Sequence, residues 1–292
     1  MAPSGRIGKK FLGLGLTIIG TLIFAFIAGS PAWAQNRPGK TGRVGCPHCT
    51  NDGSPISQLL HRSDELYASF KTKEAMGTLL KVLELAPQNY EALSKMARVY
   101  IDLGDMIPET EAEWQAEKLK QYETAQQYAR QAAKADPNGT WGHFYIAASL
   151  GKIAMMSSIP KQIDLSHEIQ AEVEKSIALD PQNGFAYHVY GVWHRKVAEI
   201  GKMSRLTASV LLWRTVPQAS IERSEEYLNK AISLNPRVIV HRLELAKTLL
   251  VMNKPQQART NLQPIFDLPV QFSDDGRHKK EARQLLQEIN GR

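Results

Sequence analysis

The sequence predicts an all-α fold, a solenoid of about five stacked helical hairpins closed by a C-terminal capping helix, on three observations. The first is a phrase that ends one helix and opens another: LELAPQN at 83–89, KADPNG at 134–139, IALDPQN at 177–183, ISLNPRV at 232–238 and FDLPV at 266–270. The second is that the stretch before each of these prolines holds two helix-length apolar segments. The third is that small residues recur between the phrases at helical spacing, where paired helices must approach closely.

Each phrase reads as a helix stop. Proline cannot donate the next backbone hydrogen bond, and it pushes its predecessor out of the helical region. Pro87, Pro137, Pro181, Pro236 and Pro269 are separated by 50, 44, 55 and 33 residues. The last interval matches the helix-turn-helix unit of tetratricopeptide (TPR) arrays, about 34 residues. The longer ones read as the same unit with insertions.

Taken in order, the first unit carries Ala75 and Val82 at its small and apolar positions. The second shows the repeat pattern best, with Leu93, Met96, Ala97, Tyr100 and Gly104 at the large, large, small, large and turn positions. Its partner helix, expected near Lys118 to Ala135, has Ala125, Ala129 and Ala132 on one face, and the acidic insert MIPETEAEWQAEK precedes it. Ala147 and Ala148 mark the third unit, Tyr187, Tyr190, Gly191 and Ala231 the fourth, and Leu245, Ala246 and Ala258 the fifth. A last helix from about Arg277 to Ile289, with Ala282, Leu285 and Leu286, would cap the open end. Such units cannot bury their apolar faces alone, so they stack and leave a concave side lined by the first helix of each pair.

Residues 1–34 read as a signal peptide: Arg6, Lys9 and Lys10, an uncharged apolar run from Phe11 to Ala28, then Ala32-Trp33-Ala34 as a small-x-small cleavage site before Gln35. An uncleaved anchor formed by residues 11–28 is the alternative, because the run is just long enough to span a bilayer. Both place the body outside the cytosol, in the periplasm or secreted. Residues 35–55, rich in Gly, Pro and polar residues, read as a flexible linker before the repeat domain at 56–292.

The whole chain carries +7, and removing the three basic residues of the leader leaves +4 for 35–292. The basic residues alternate with acids along helices, which argues against nucleic acid. The cluster Arg277-His278-Lys279-Lys280 with Arg283 reads as a solvated helix face.

The segments DELYASFKTKEA, QIDLSHEIQAEVEKSIALDPQNGFAYHVYGVWHRKVAEIGKMSRLTASVLLWRTVPQASIERSEEYLNKAISLNP and LELAKTLLVMNKPQQAR resemble the regulator of microtubule dynamics family of TPR-like proteins over most of 56–290. The most family-specific part is the fourth unit, with its aromatic, glycine-bearing first helix, the apolar insert LTASVLLWRTVP and the helix running into ISLNP. The resemblance implies an all-helical, non-enzymatic interaction domain. It also implies eukaryotic relatives at microtubules or mitochondrial membranes, one of which binds phospholipid. An exported chain would not meet tubulin, so the fold and the groove are carried over and the microtubule role is not.

Cys46-Pro47-His48-Cys49 resembles the motif of oxidising thioredoxin-fold enzymes, but no βαβ pattern surrounds it. A local disulfide between Cys46 and Cys49 is the preferred reading. A zinc half-site with His48 or His61 lacks a second CxxC, and Thr50 stands where haem attachment needs histidine. His143, His167, His188, His194, His241 and His278 show no HExxH or i, i+4 pairing, and no catalytic residue, metal site or cofactor is assigned.

TPR geometry puts Glu91, Ser94, Arg98, Ile101 and Asp102 on the concave face, with His188, Val192, Arg195 and Lys196 from the fourth unit and Leu243, Lys247, Leu250 and Val251 from the fifth. Cations and aliphatics together suit a peptide carboxylate, or a phospholipid head group with its chains. The insert at 206–217, with Val210, Leu211, Leu212 and Trp213, either plugs the stack or walls an apolar groove. The leading expectation is an adaptor that binds a protein or peptide; the second is a carrier of lipid or another apolar ligand.

Overall fold

Four of the five proline phrases build the same turn. In the computed structural model, which describes residues 53–110, 112–206 and 216–291, Ala86, Asp136, Asp180 and Asn235 each cap a helix with φ between −131° and −143°. Each donates its N–H to the carbonyl four residues back and accepts at its own carbonyl from the N–H three residues ahead, over 3.0–3.2 Å. The proline sits just past the cap, where a missing donor costs nothing. Side chains complete the turn: Asp136 and Asp180 accept from the N–H of Asn138 and Gln182, and Asn89 and Asn183 cap the following helices through Ala92 and Ala186. The fifth phrase differs. The helix before it ends at Leu262, and a 3-10 turn, Gln263–Phe266, separates it from Pro269.

The helices between these turns are α1 (Pro55–Ala68), α2 (Thr72–Leu85), α3 (Tyr90–Met106), α4 (Trp114–Ala135), α5 (Thr140–Met155), α6 (Ile159–Leu179), α7 (Gly184–Leu206), α8 (Ile221–Leu234), α9 (Ile239–Val251), α10 (Pro255–Leu262) and α11 (Asp275–Asn290). They pair as the hairpins α1/α2, α3/α4, α5/α6, α7/α8 and α9/α10, and α11 packs on α9 and α10 as the cap. Among the described residues there is no strand, and no helix is long and apolar enough to cross a membrane. The leader, the linker up to residue 52 with Cys46 and Cys49, and Val210, Leu211, Leu212 and Trp213 of the insert lie outside the described residues; the end of the predicted linker is described, with Ser54 capping α1 and Pro55 beginning it.

Helix α4 starts at Trp114, a turn earlier than the alanine pattern predicts, after Glu113 takes a left-handed φ of 61°. The α1/α2 and α9/α10 turns use the same device, with Phe70 (φ 59°) and Asn253 (φ 58°) just past the helix ends. There Lys71 N–H bonds Leu66 C=O and Lys254 N–H bonds Leu249 C=O, the six-to-one closure that satisfies carbonyls left open at a helix end.

The two helices of a hairpin have different environments. The second helices bury one stripe; in α4 it is Tyr122, Ala125, Ala129 and Ala132. From α3 onward the first helices are far more buried: every residue of α5 from Gly142 to Ala154 and of α7 from His188 to Val197 is out of solvent, whereas terminal α1 buries only Leu60, Ser63, Leu66 and Tyr67. Successive first helices also touch one another, α3 with α5, α5 with α7 and α7 with α9. Their outward sides form the main apolar core around Phe144, Phe185, Val189, Trp193, Leu243 and Leu249, while α1, α2 and one side of α3 make a smaller core.

Candidate functional site

A helix buried on all sides must bury the polar side chains its sequence carries, and these survive there only if paired. Polar residues of α3, α5, α7, α9 and α11 do this with one another and, at the N-terminal end, with α1, forming a charged seam along the solenoid.

At its N-terminal end, Lys95 Nζ lies 2.8 Å from the Asp64 carboxylate and 2.6 Å from Glu91 Oε1. Arg98 stacks its guanidinium 3.6 Å above the centre of the Tyr67 ring. The Tyr67 hydroxyl donates to the Asp102 carboxylate. Burial drives the Asp102 carboxyl well above its ordinary range, against the opposing pull of that hydrogen bond and of Arg98.

In the middle, Lys152 Nζ lies 2.6 Å from both carboxylate oxygens of Asp105, and the Tyr122 hydroxyl donates to Asp105 Oδ1 over 2.8 Å. Burial pushes the Lys152 ammonium below its usual value, with Asp105 pulling the other way. Asp274 and Arg277 of the cap act electrostatically on Lys152, so the first turn of α11 reaches back to the ends of α3 and α5.

At the C-terminal end, Glu244 is gripped by Arg195 and by Lys247 at 2.7 Å, and Lys247 continues to Glu281 at 2.7 Å. Burial alone would raise Glu244, but Lys247 and Arg195 outweigh it and bring its pKa to about 2. His188 and His241 meet Nδ1 to Nδ1 at 3.1 Å. Burial lowers His188 to about 4 and His241 well below its ordinary value.

Most of the predicted concave residues are therefore out of solvent, and Ile101, Val192 and Leu243 belong to the main apolar core. Ser94, Arg98, Ile101, Asp102, His188, Val192, Arg195, Lys196 and Leu243 are buried. Lys247, Glu91 and Leu250 are half-buried and Val251 is exposed. Lys95, Arg98, Lys152, Arg195 and Glu244 on these helices each meet an opposite charge or an aromatic ring. His194, as its six-residue offset from His188 requires, points the other way and stacks on Tyr190 and Tyr227.

The basic cluster at 277–283 is solvated in part: Arg277, Lys280 and Arg283 are exposed, Arg283 lying over the Phe266 ring, whereas His278 is fully buried and Lys279 donates to the carbonyls of Phe266 and Leu268. Sequence reasoning also missed the grouping of Asp274, Asp275 and His278 at the start of α11. The signal was the D-D-x-x-H spacing, which puts an acid one helical turn before a histidine.

A family model described as regulator of microtubule dynamics protein 1-3 matches residues 59–290. Regulator of microtubule dynamics protein 1 of Bos taurus is 28% identical over 232 residues, spanning 79% of this chain and 71% of that protein. Regulator of microtubule dynamics protein 3 of Xenopus laevis is 25% identical over 236 residues, with 79% of this chain and 49% of that protein covered. Among solved structures, a thermophilic TPR protein from Thermus thermophilus superposes with a TM-score of 0.58 at 15% identity, covering 79% of this chain and 98% of that one, a likeness of fold. The match of helices, repeat phrases and family model over the same residues gives the conclusion: the chain belongs to the regulator of microtubule dynamics protein 1-3 family.

Proposed function

We propose that the chain is a non-enzymatic scaffold, exported by its leader, that holds a protein or peptide through carboxylates docking on lysines at the rim of its inner helices. The observation that carries this reading is an arrangement repeated on α3, α7 and α9. Lys95, Lys196 and Lys247 are largely buried, and each pairs with a glutamate at the solvent edge: Glu91 (27% exposed), Glu199 (28%) and Glu281 (30%). A buried ammonium needs a carboxylate, but the exposed partner is held only weakly and can be exchanged for another. A partner's Asp, Glu or chain terminus supplies the same group with a charge-assisted hydrogen bond. Arg98, Asp102, His188, Val192 and Arg195 lie behind this rim and hold it in place without touching the partner.

The test is native mass spectrometry of the chain purified from its export compartment, with extraction of whatever it carries. A bound polypeptide, retained in wild type and held more tightly in Glu199→Gln and Glu281→Gln variants, supports the scaffold. A stoichiometric lipid mass would overturn it in favour of an apolar-ligand carrier using Val210, Leu211 and Trp213. An N-terminus at Gln35 supports export with cleavage; a retained leader would make residues 11–28 an anchor.

A further inference from the structure

We propose that Asp274, Asp275 and His278 form a binding site for one divalent cation, of the kind that accepts two carboxylates and one imidazole. Each residue offers one ligand atom, and the three atoms lie within 4.8 Å of one another. His278 Nε2 is 3.5 Å from Asp274 Oδ2, and His278 Nδ1 is 3.7 Å from Asp275 Oδ1. Both distances are too long for hydrogen bonds. An ion takes only one of the two ring nitrogens, so one of these contacts matches the separation of neighbouring ligands around an ion bound at roughly 2.1–2.3 Å, and the second carboxylate completes the set from within 4.8 Å.

The second observation is that the donors are buried and have no hydrogen-bond partner. His278 is wholly out of solvent with neither ring nitrogen hydrogen-bonded, and Asp275 Oδ1 is in the same condition at 1% exposure. Buried polar atoms of this sort are normally satisfied, and where they converge an ion is one explanation. The other oxygen of Asp275 is already used: Asp275 Oδ2 accepts from the N–H of Gln271 at 2.7 Å and of Phe272 at 2.9 Å. Those bonds fix the carboxylate and leave Oδ1 toward the imidazole, as outer-shell bonds do for metal ligands.

Three positive groups compete with a cation, and the buried Lys152 ammonium, which acts on Asp274, is engaged by Asp105. Arg277 Nη2 lies 3.4 Å from Asp274 Oδ2, but its side chain is largely exposed and can swing away. The N-terminus of α11 carries a partial positive charge of about half a unit, which the two full carboxylate charges outweigh. Binding would tie the first turn of α11 to the 271–275 loop and so fasten the cap beside Asp105 and Lys152.

The probe is Mn2+, because carboxylate and imidazole ligands suit it and it has little affinity for the Cys46 and Cys49 sulfurs in either redox state. The full chain is titrated with Mn2+, following the free-ion paramagnetic resonance signal and the unfolding temperature. The expected result is one saturable Mn2+ per chain with a rise in unfolding temperature. Binding weakens at least tenfold in Asp274→Asn and in His278→Gln, persists in Cys46→Ser, and is equal or tighter in Arg277→Gln. No saturable uptake by folded wild type, or uptake undiminished in Asp274→Asn, overturns the site and leaves an imidazole held between two carboxylates with no affinity for the ion.

Discussion

His188 on α7 and His241 on α9 face each other with their Nδ1 atoms 3.1 Å apart, so one ring donates, the other accepts, and both cannot be protonated at once. Burial lowers the His188 pKa from 6.5 to about 4, with His278, Arg195 and Lys247 adding to the fall and Glu244 opposing it. The folded chain therefore binds fewer protons than the unfolded chain between these values. This contribution to stability is complete above pH 6.5 and is lost as pH falls toward 4, with a slope of up to about 1.4 kcal/mol per pH unit. Denaturant unfolding of wild type and His188→Asn at matched pH isolates it: the stability difference between the two shrinks as pH falls from 6.5 to 4. A difference independent of pH would show that His188 is not held neutral.

Lys152 and Asp105 join the C-terminal ends of α5 and α3, both nearly out of solvent. Removing one partner strands the other charge. Lys152→Met should cost about 3 kcal/mol, whereas Lys152→Met with Asp105→Asn should recover most of that loss. A double-mutant cycle in urea measures the coupling.

Two glycines should respond with opposite sign. A Cβ on Gly142 would sit 2.7 Å from the backbone nitrogen and 2.9 Å from the Cα of Ala133, and neither can yield without moving α4. Gly142→Ala should therefore destabilise by about 1–3 kcal/mol. Gly77, inside α2, has nothing within 4 Å, so Gly77→Ala should stabilise by about 1 kcal/mol. Thermal unfolding of both variants checks the pair.

Phe70 holds a left-handed φ of 59° at an exposed turn. Such backbone costs an L side chain roughly 1–2 kcal/mol and glycine nothing. Phe70→Gly should raise stability by about 1 kcal/mol, and Asn253→Gly by less, because asparagine tolerates that conformation. Urea midpoints of the two variants, compared with wild type, measure both.

The solenoid was legible in the sequence because its signals are local. A proline two residues past a helix end, an Asp or Asn at the turn and an alanine every third or fourth position all act within a few residues of themselves. The seam was not legible, because its pairs are remote along the chain: Lys95 with Asp64 is 31 residues away, Lys152 with Asp105 is 47, Arg195 with Glu244 is 49 and His241 with His188 is 53. Register groups Arg98, Asp102, His188, Arg195 and Lys247, and the structure gives each a polar or aromatic partner. Whether such residues are open to solvent depends on how tightly the hairpins wind, which the side chains of all the inner helices decide together. The left-handed turns at Glu113 and Phe70 were equally hidden, since neither residue type favours that conformation.

The central claim is that the rim lysines exchange their own glutamates for a partner's carboxylate. It is tested most directly by zero-length carbodiimide crosslinking of the full chain in extract from its own compartment, with the linked peptides sequenced. The account predicts that Lys196 and Lys247 become joined to acidic peptides of another protein, and more often in the Glu199→Gln and Glu281→Gln variants. Links confined to Lys196 with Glu199 and Lys247 with Glu281, unchanged by the presence of extract, would contradict it.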